Sequence, residues 1–533
     1  MKKLDETKDY KTIERSRVSH ETVSFGSPEM GRPVVISPNK STATGVCCCV
    51  AGSEQILLML SAAGHQDTRY KTGPDSFGGS QSSRPGSPLF RPNGTHILNK
   101  LITFLRAQYK QYGFREVLTP NIYKQSLWEV SGHWQNYKDD MYEVGGRGDT
   151  GEASETSENE IYGLKPMNCP GHCLLFKSQK HSYRELPVRY ADFSPLHRNE
   201  VSGSLSGLTR VRRFHQDDGH IFCRPGQIGS EIQLALKFAD TVLQTFGLAE
   251  GYRLVLSTRP EKDFIGSLEQ WENAEQQLRQ ALDNSGLSWE LNEGDGAFYG
   301  PKIDLQIQDS QGKYHQLSTI QLDMNLPQRF ELEYLVPEGS EEYDPATGGR
   351  ATPVLIHRAI FGSLERFFAL LIERYNGQWP FWLSPRQAIL LTIGKGIEQA
   401  AEDAVAKISG FEPITSSRPS STGLPLSPLQ PTFNVDLDLA SRSLPKKIHD
   451  AHAARYNLVF IMGPKNVADG SVDIDLSGQV GGKSEDEIKA LLDGIPCWDI
   501  SLSAKPGERT TAKMKMKVDD VHAWLVNLER RFQ

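Results

Sequence analysis

The pattern of hydrophobic and polar residues separates a patternless beginning of the chain from a long periodic remainder. Residues 1–88 are rich in Ser, Gly, Pro and Thr and keep neither the period of a helix nor that of a strand. Such a composition buries too little apolar area to offset the entropy lost on ordering. We therefore predict a disordered or targeting leader at 1–88. From Gly94 onward, apolar residues such as Ile97, Leu101 and Leu105 recur at helical spacing.

Residues 89–383 combine strand and helix signals that predict an α+β domain. The predicted elements are strands at 114–119, ended by Pro120, and at 187–193, 211–223, 254–257, 303–307 and 315–322, with a helix at 227–246. Most of these strands follow one another through hairpins, with helices alongside. This arrangement favours an antiparallel sheet.

Residues 384–533 predict a second, smaller domain. Before it, the run Trp379-Pro-Phe-Trp-Leu-Ser-Pro385 breaks the preceding helical pattern. The predicted elements are strands at 388–392 and 458–462 and helices at 398–408 and 444–456. Their alternation is typical of a small, mostly parallel α/β domain. A Ser- and Pro-rich insertion near 416–431 predicts a flexible loop.

Composition and charge exclude several classes of protein. The chain has 533 residues, a formal net charge of -7 and a pI near 6.1. Such a protein does not coat nucleic acid through its overall field, so any RNA contact must come from a local patch. Its 7 cysteines, three of them consecutive at 47–49, do not form a disulfide framework, which implies a reducing compartment. The longest apolar stretch near the N-terminus, Ile56–Leu60, is far shorter than the roughly 20 residues of a membrane helix, so no membrane partner is expected.

One basic patch lies near the C-terminus, at 505–517. It contains Lys505, Arg509, Lys513, Lys515 and Lys517, with Glu508 as the single acidic residue among them. The patch predicts either a contact with an RNA backbone or a solvated turn and an edge strand that the lysines protect from pairing. Both interpretations stay open.

Two arginines in different elements are candidate phosphate ligands. Arg198 lies in the run Phe193-Ser-Pro-Leu-His-Arg-Asn-Glu200, and a Gly/Ser-rich loop then leads to Arg210-Val-Arg-Arg-Phe-His-Gln-Asp-Asp-Gly-His220. These runs predict two strands joined by a flexible, cationic hairpin. Arg366 lies at the start of an apolar helix. A guanidinium presents a planar fork of donors to phosphate oxygens, although an arginine taken alone more often forms a surface ion pair.

The same runs resemble motifs 2 and 3 of class II aminoacyl-tRNA synthetases. Four stretches resemble the threonyl-tRNA synthetases in particular, namely Met167-Asn-Cys-Pro-Gly-His172, Gln216-Asp-Asp-Gly-His220, Gly296-Ala-Phe-Tyr-Gly-Pro-Lys302 and Ile356-His-Arg-Ala-Ile-Phe-Gly-Ser363. The resemblance covers roughly residues 86–533. It implies the antiparallel sheet with flanking helices of class II enzymes, followed by a small α/β anticodon-binding domain.

The resemblance also implies an activity, the ATP-dependent ligation of L-threonine to threonine tRNA through a threonyl-adenylate. Arg198 and Arg366 would be the catalytic residues that hold the α- and γ-phosphates. The implied ATP-binding residues are Arg198, Glu200, Arg210, Phe214, Gln316 and Arg366. The implied threonine-binding residues are Met167, Gln216, Asp218, Tyr299, Lys302, Gln321 and Ser363. Mg²⁺ is expected to accompany ATP, and the helix-strand-Pro unit that ends at Pro120 resembles motif 1, which implies a homodimer.

A zinc site is a further implication of the resemblance. Cys169, His220 and His357 match the zinc ligands of the family, whereas their spacing in the chain is too long to indicate a metal site. A thiolate and two imidazoles suit Zn²⁺ and leave a coordination position for substrate. A lone buried cysteine or histidine is more often a core residue. A rival Cys-x-x-His-Cys set combines Cys169 with His172 and Cys173.

The resemblance leaves location and exact activity open. The expected layout is similar to the fungal mitochondrial enzymes, which lack the N-terminal editing domain, and this predicts the mitochondrial matrix. The many acidic residues of the leader are atypical of a transit peptide, so the cytoplasm is the alternative. Prolyl- and seryl-tRNA synthetases share motifs 2 and 3, and a non-catalytic, synthetase-like RNA-binding regulator would keep the fold without the chemistry.

Overall fold

A computed structural model describes residues 85–145, 161–262, 264–310, 312–414, 424–480, 498–503 and 511–532. The predicted leader at 1–88 therefore lies almost wholly outside the described residues, as does part of the predicted insertion near 416–431. Among the helices of the described ranges, none is long and apolar enough to cross a bilayer.

A nine-stranded sheet organises the first part of the described chain. The strands of this part are β1 (Arg115–Glu116), β2 (Ile122–Lys124), β3 (Glu143–Val144), β4 (Tyr162–Leu164), β5 (His181–Ser182), β6 (Val188–Asp192), β7 (Pro195–His197), β8 (Arg213–Cys223), β9 (Arg253–Ser257), β10 (Trp289–Asn292), β11 (Lys302–Gln308), β12 (Tyr314–Asp323), β13 (Tyr334–Leu335), β14 (Arg350–Ala351) and β15 (Val354–Ser363). The order in the large sheet is β1-β6-β8-β15-β12-β11-β9-β10, and β7 pairs with β8. Neighbours from β6 to β9 are antiparallel, and the two outermost pairs are parallel. Strands β2, β3 and β4 form one small sheet, and β5, β13 and β14 form another.

Helices flank this sheet. They are α1 (Pro92–Gln111), α2 (Gln125–Ser131), α3 (His133–Tyr137), α4 (Cys169–Lys177), α5 (Ile228–Thr245), α6 (Leu268–Ser285), α7 (Asn325–Arg329) and α8 (Leu364–Tyr375). Short 3-10 turns lie at Lys138–Asp140, Ser202–Ser204, Pro225–Gln227 and Pro345–Thr347. Helix α1 begins with a proline, which the first turn accommodates because its missing N–H would have no helical partner. It buries Ile97, Leu101 and Leu105 in the core beneath the sheet, as the apolar period predicts. The predicted α+β class is therefore confirmed.

The predicted strand at 114–119 is shorter in the structure. Only Arg115 and Glu116 pair as a strand, with β6. Further along, the N–H and the hydroxyl of Thr119 donate to the Asp192 carboxylate, at 3.2 and 2.7 Å. The strand ends early because a side chain, and not a neighbouring backbone, takes up these hydrogen bonds. The other predicted strands of this part agree with the structure to within a few residues.

A second sheet lies in the C-terminal part, with its own apolar core. Its strands are β16 (Ala388–Thr392), β17 (Val435–Asp438), β18 (Leu458–Met462), β19 (Ser471–Asp475), β20 (Trp498–Ser503) and β21 (Thr511–Lys517). The helices are α9 (Glu398–Ser409), α10 (Leu444–Ala453), α11 (Pro464–Asp469), α12 (Ser477–Val480) and α13 (Val518–Arg530). The strand order is β17-β16-β18-β19-β21-β20. The domain boundary after residue 383 stays a prediction.

The prediction of a mostly parallel C-terminal sheet is wrong. Strand β16 is parallel to β17 and β18, but the other three pairs are antiparallel. Only the short helix α11 separates β18 from β19, and a parallel crossover needs a dozen or more residues. The returning strand therefore runs antiparallel.

The edge-strand interpretation of the basic patch is also wrong. Strand β21, which carries Lys513, Lys515 and Lys517, runs between β19 and β20 inside the sheet. The Lys515 ammonium lies 3.1 Å from an oxygen of Asp469. Residues 504–510 lie outside the described part of the chain, and the RNA-contact interpretation stays a prediction.

Candidate active site

One face of the large sheet borders a cavity of about 480 Å³. All the residues that the sequence predicted as site residues line it, namely Met167, Cys169, Arg198, Glu200, Arg210, Phe214, Gln216, Asp218, His220, Tyr299, Lys302, Gln316, Gln321, His357, Ser363 and Arg366. Residues up to two hundred positions apart thus meet in one place. Their individual roles stay predictions.

Three of these side chains form a group that could hold a metal ion. Cys169 is the first residue of α4, and His220 on β8 pairs in register with His357 on β15. Their ligand atoms lie within 4.8 Å of one another, and all three side chains are buried. The neighbouring strands and the helix terminus create a proximity that the sequence spacing did not indicate.

Neighbouring polar groups orient the two imidazoles of this group. The Nε2 atom of His357 lies 2.8 Å from a carboxylate oxygen of Asp323. The Nδ1 atom of His220 lies 2.8 Å from Nδ1 of His172. Each histidine thus keeps its other nitrogen for the shared centre, where Nε2 of His220 and Nδ1 of His357 are 2.9 Å apart. Histidine ligands of metals are commonly held by such partners, so the donor set and its surroundings fit zinc.

Burial sets the protonation of these ligands. It raises the pKa of the Cys169 thiol well above its usual value, with the nearby Asp218 carboxylate adding to the effect. Burial, together with His172 and His357, holds the pKa of His220 well below its usual value. His220 is therefore already a neutral ligand, whereas the Cys169 thiol must lose a proton to bind a metal.

The rival set of Cys169, His172 and Cys173 does not converge. The His172 ring lies between His220 and Asp192, with its Nε2 atom 3.7 Å from an Asp192 oxygen. Cys173 packs among apolar side chains with Phe176. Among the described residues, neither His172 nor Cys173 belongs to a group that could hold a metal ion.

The first predicted arginine is fixed by the hairpin of β7 and β8. The N–H of Arg198 donates to the carbonyl of Arg212 across the hairpin, at 2.8 Å. The Arg198 guanidinium lies over the Phe214 ring, 4.9 Å from its centre, and its Nε donates to the Pro166 carbonyl. The aromatic ring and the carbonyl hold the guanidinium against the cavity wall.

The second predicted arginine begins α8 and reaches the same cavity. Ser363 caps the helix by accepting from the N–H of Arg366. The Arg366 guanidinium donates to the carbonyl oxygens of Thr209 and Gln316, at 3.0 and 2.6 Å. Burial, followed by the charges of Arg198 and Arg210, lowers its pKa. Guanidiniums gathered in this way favour a polyanionic ligand between them.

An ion pair shapes the loop between β7 and β8. The Arg210 guanidinium lies 2.7 Å from a carboxylate oxygen of Glu200. Behind them, Arg212 donates to the Glu200 carbonyl, to the Pro85 carbonyl and to Ser202. Arg212 was not predicted as a site residue, and it ties this loop to the first described residues of the chain.

A second group of polar side chains lies beside the cysteine and the two histidines. Asp218 accepts from the amide of Asn168 at 3.0 Å, and burial raises its pKa. The Tyr299 hydroxyl donates to the side-chain oxygen of Gln321 at 2.6 Å. The Lys302 ammonium lies 2.7 Å from Asp304. This end of the cavity therefore offers a carboxylate, a phenol, an amide and an ammonium to a small polar ligand.

Comparisons with known proteins agree with the sequence resemblance. A family signature described as the tRNA synthetase class II core domain (G, H, P, S and T) matches residues 152–375. A protein of Schizosaccharomyces pombe named as a probable mitochondrial threonine–tRNA ligase is 50% identical over 394 residues, which cover 72% of this chain and 78% of that protein. The chain belongs to the threonyl-tRNA synthetase family. The signature spans every predicted site residue, from Met167 to Arg366.

Other members of the threonyl-tRNA synthetase family match as well. The cytoplasmic threonine–tRNA ligase 1 of Bos taurus is 47% identical over 391 residues, covering 73% of this chain and 48% of that protein. A crystal structure described as the RNA binding domain of threonyl-tRNA synthetase from Cryptosporidium parvum matches with a TM-score of 0.63 and 42% identity, covering 74% of this chain and 88% of that one. Relatives named as mitochondrial and relatives named as cytoplasmic thus both match this chain.

The supporting roles of several residues around the site of this synthetase were not predicted from the sequence, and His172 was considered only as a member of the rival metal set. Asp323, His172, Asn168 and Asp304 each hold a predicted residue in place. The buried ring of His133 adds to them, with Nε2 at 3.7 Å from the Cys169 sulfur and a pKa that burial lowers to about 3. His172 and Asn168 lie inside a quoted family stretch, which was the one available signal. Asp323 and Asp304 required knowledge of strand register, and His133 required knowledge of how its helix packs against Cys169.

Proposed function

We propose that the protein activates L-threonine with ATP to form threonyl-adenylate and then transfers the threonyl group to threonine tRNA. The observation that carries this proposal is the meeting, in one cavity, of the Cys169, His220 and His357 group with the guanidiniums of Arg198 and Arg366. The first group suits a metal that selects an amino acid, and the second suits a triphosphate.

The two guanidiniums would stabilise the charge that develops during adenylate formation. The threonine carboxylate attacks the α-phosphorus of ATP, and pyrophosphate leaves. Arg198 would bind the α-phosphate and Arg366 the γ-phosphate, so both are fixed before the reaction and need not reorganise during it. Mg²⁺ would accompany the ATP phosphates through few protein ligands.

The nucleotide base would bind near the hairpin of β7 and β8. Phe214 supports an aromatic contact with adenine, and Glu200, held by Arg210, supplies a fixed acceptor. Gln316 lines the same cavity, where its carbonyl also holds Arg366. These contacts are consistent with a nucleotide lying across the strands toward the two guanidiniums.

The amino acid would bind at the metal end of the cavity. Zinc held by Cys169, His220 and His357 would supply coordination positions for the amino and β-hydroxyl groups of threonine. Asp218 would accept from the amino group, and Tyr299 would present its hydroxyl nearby. Further contacts would come from Met167, Gln216, Lys302, Gln321 and Ser363. Valine lacks the hydroxyl, and a site built to bind a hydroxyl rejects such analogues strongly.

Location and assembly are further parts of the proposal. The mitochondrial relative of Schizosaccharomyces pombe supports the mitochondrial matrix, and the threonine tRNA there would be the macromolecular partner. The unit formed by α1, β1 and Pro120 supports a homodimer. Leu118 and Ile122, which are 83% and 46% exposed beside this unit, give apolar surface for a second copy.

Amino-acid-dependent exchange of pyrophosphate into ATP tests the proposed reaction without any tRNA. We expect exchange with threonine, weaker exchange with serine, and none with valine or proline. Aminoacylation of threonine tRNA by the same preparation then tests the transfer step. Folded protein that catalyses exchange with proline or serine but not with threonine would refute the proposal and favour another class II synthetase. Folded protein that catalyses no exchange with any amino acid would refute it and favour the non-catalytic regulator.

A further inference from the structure

The buried carboxylate of Asp304 lies directly behind the cavity wall. Asp304 is on β11 and is 1% exposed. One carboxylate oxygen accepts from the Lys302 ammonium at 2.7 Å. The other accepts from the side-chain amide of Gln316 at 2.6 Å and from the Thr319 hydroxyl at 2.9 Å. All three donor side chains line the cavity, and Asp304 itself does not.

The pairing of β11 with β12 brings these donors onto one face of the sheet. Lys302 and Asp304 are two positions apart on β11 and therefore point to the same side. Thr319 lies directly opposite Asp304 on β12. The pairing then shifts between Leu305 and Gln306, so that Gln316 comes opposite Gln306. Without that bulge, the alternation of the strand would turn Gln316 toward the other face.

The bulge also connects Asp304 to the predicted phosphate ligand. The carbonyl of Gln316 accepts from the Arg366 guanidinium at 2.6 Å. The backbone turns at Gly362, which has a φ of 63°. A Cβ atom at Gly362 would lie 2.3 Å from the Leu317 carbonyl, so only glycine permits this approach. Gln316 is thus held by Asp304 through its side chain and holds Arg366 through its backbone.

Charge explains why a carboxylate is needed at this point. The Lys302 ammonium is largely buried, and a buried cation requires an anionic partner. An ammonium has three donors; Asp304 takes one, and Asp295, at 3.3 Å, takes another. The third donor stays available to a ligand in the cavity.

We propose that Asp304 is a positioning residue for both halves of the activation site. It fixes Lys302 on the threonine side and Gln316, and through Gln316 the guanidinium of Arg366, on the nucleotide side. The proposal rests on the proposed function, because it concerns the binding of threonine and ATP in this cavity. It assigns Asp304 no contact with either substrate.

The test uses Asp304→Asn in the full-length protein, with Asp309→Asn as the matched control. An asparagine keeps the size of the side chain but turns an NH₂ group toward one of the donors that Asp304 now accepts. Asp309 accepts hydrogen bonds at the far end of the same hairpin, from the Lys313 N–H and His315, outside the cavity. We expect Asp304→Asn to raise the KM for threonine and for ATP in pyrophosphate exchange, with a loss in kcat/KM of about 10- to 100-fold, since bonds to charged groups are involved. The control should keep both values.

Double-mutant cycles separate positioning from a general structural role. If Asp304 acts through Gln316, the effect of Asp304→Asn on the KM for ATP should largely disappear in a Gln316→Ala background. Likewise, if Asp304 acts through Lys302, its effect on the KM for threonine should largely disappear in a Lys302→Met background. The proposal would be overturned if Asp304→Asn raised both KM values by the same factor with and without the second substitutions. A thermal midpoint shift without any change in the KM values would overturn it too.

Two further measurements keep the outcome decisive. Thr319→Val removes one donor to Asp304, and Thr319→Ser keeps that hydroxyl while also altering the cavity wall. If Asp304→Asn fails to fold, a KM for ATP raised in Thr319→Val and not in Thr319→Ser supports the positioning role. Equal KM values in the two variants refute it. Absence of threonine-dependent exchange in the unaltered protein refutes the proposed function. Normal exchange in that protein, with unchanged kinetics in Asp304→Asn, refutes only the role of Asp304.

Discussion

Replacing Arg366 with lysine separates charge from geometry at the predicted γ-phosphate site. The guanidinium donates to two carbonyl oxygens, those of Thr209 and Gln316, and can still offer donors to a ligand. A lysine keeps the positive charge but is a point charge without the planar fork. It cannot hold both carbonyls and a phosphate oxygen in the same arrangement.

The expected magnitude follows from these contacts. Removing one preorganised donor to a developing negative charge costs about 10²- to 10³-fold in kcat, or roughly 2.7–4 kcal/mol. Because lysine can retain one of the two carbonyl contacts, the free energy of unfolding should fall by only about 1–3 kcal/mol. Catalysis should therefore suffer far more than folding. The KM for threonine should change little, because Arg366 lies on the nucleotide side.

The assay is threonine-dependent pyrophosphate exchange at saturating ATP and threonine, with thermal unfolding recorded on the same samples. Arg374→Lys is the control, since Arg374 lies in the last turn of the same helix and outside the cavity. A folded Arg366→Lys protein whose kcat stays within about threefold of the unaltered protein would refute the role of a fixed guanidinium, given the loss expected above.

Three further predictions concern other groups of the site. Asp218→Asn should raise the KM for threonine in pyrophosphate exchange about 10- to 100-fold and leave the KM for ATP unchanged, because it weakens a charged hydrogen bond to the amino group; equal changes in both KM values would contradict this. Serine lacks only a methyl group, which contributes about 1–3 kcal/mol, so it should be activated about 10- to 200-fold less well and its adenylate hydrolysed; serine-dependent ATP consumption at the background rate would disprove this. Burial raises the pKa of Asp217 to about 7, despite hydrogen bonds from Tyr109 and from the N–H groups of Ile360 and Phe361. The folded state then binds a proton that the unfolded chain, with a pKa of about 3.9, has lost, so stability should fall as pH rises from about 4 to 7. Denaturant unfolding between about pH 4 and 7 should show that the free energy of unfolding falls less steeply with pH in Asp217→Asn than in the unaltered protein. An identical slope in the two proteins would count against the raised pKa.

Part of the site was predictable because three of its residues lie on one strand. Gln216, Asp218 and His220 alternate along β8, and the period of two in a strand places them on one face. The quoted family runs contain most of the other predicted residues of the cavity, although Gln316 and Gln321 lie outside them. The predicted antiparallel sheet agrees with the structure, although few of its neighbouring strands are joined by hairpins. For these features, local sequence carries the relevant information.

The supporting contacts were not predictable, because they depend on pairing between distant strands. Asp323 reaches His357 only because β12 lies beside β15, and Asp304 meets Gln316 only through a bulge. Neither the register nor the bulge has a signature in the spacing of residues along the chain. The same limit explains the error in the C-terminal sheet, where the shortness of α11 decided the direction of β19.

Metal content measured together with amino acid selectivity tests the central claim most directly. The protein would be analysed for zinc and assayed for pyrophosphate exchange with threonine and valine, as purified, after removal of metal with a chelator, and after zinc is restored. The account predicts one zinc per chain, loss of threonine exchange with the metal, and recovery of exchange with threonine but not valine when zinc returns. Metal-free protein that still activates threonine and still rejects valine would contradict it.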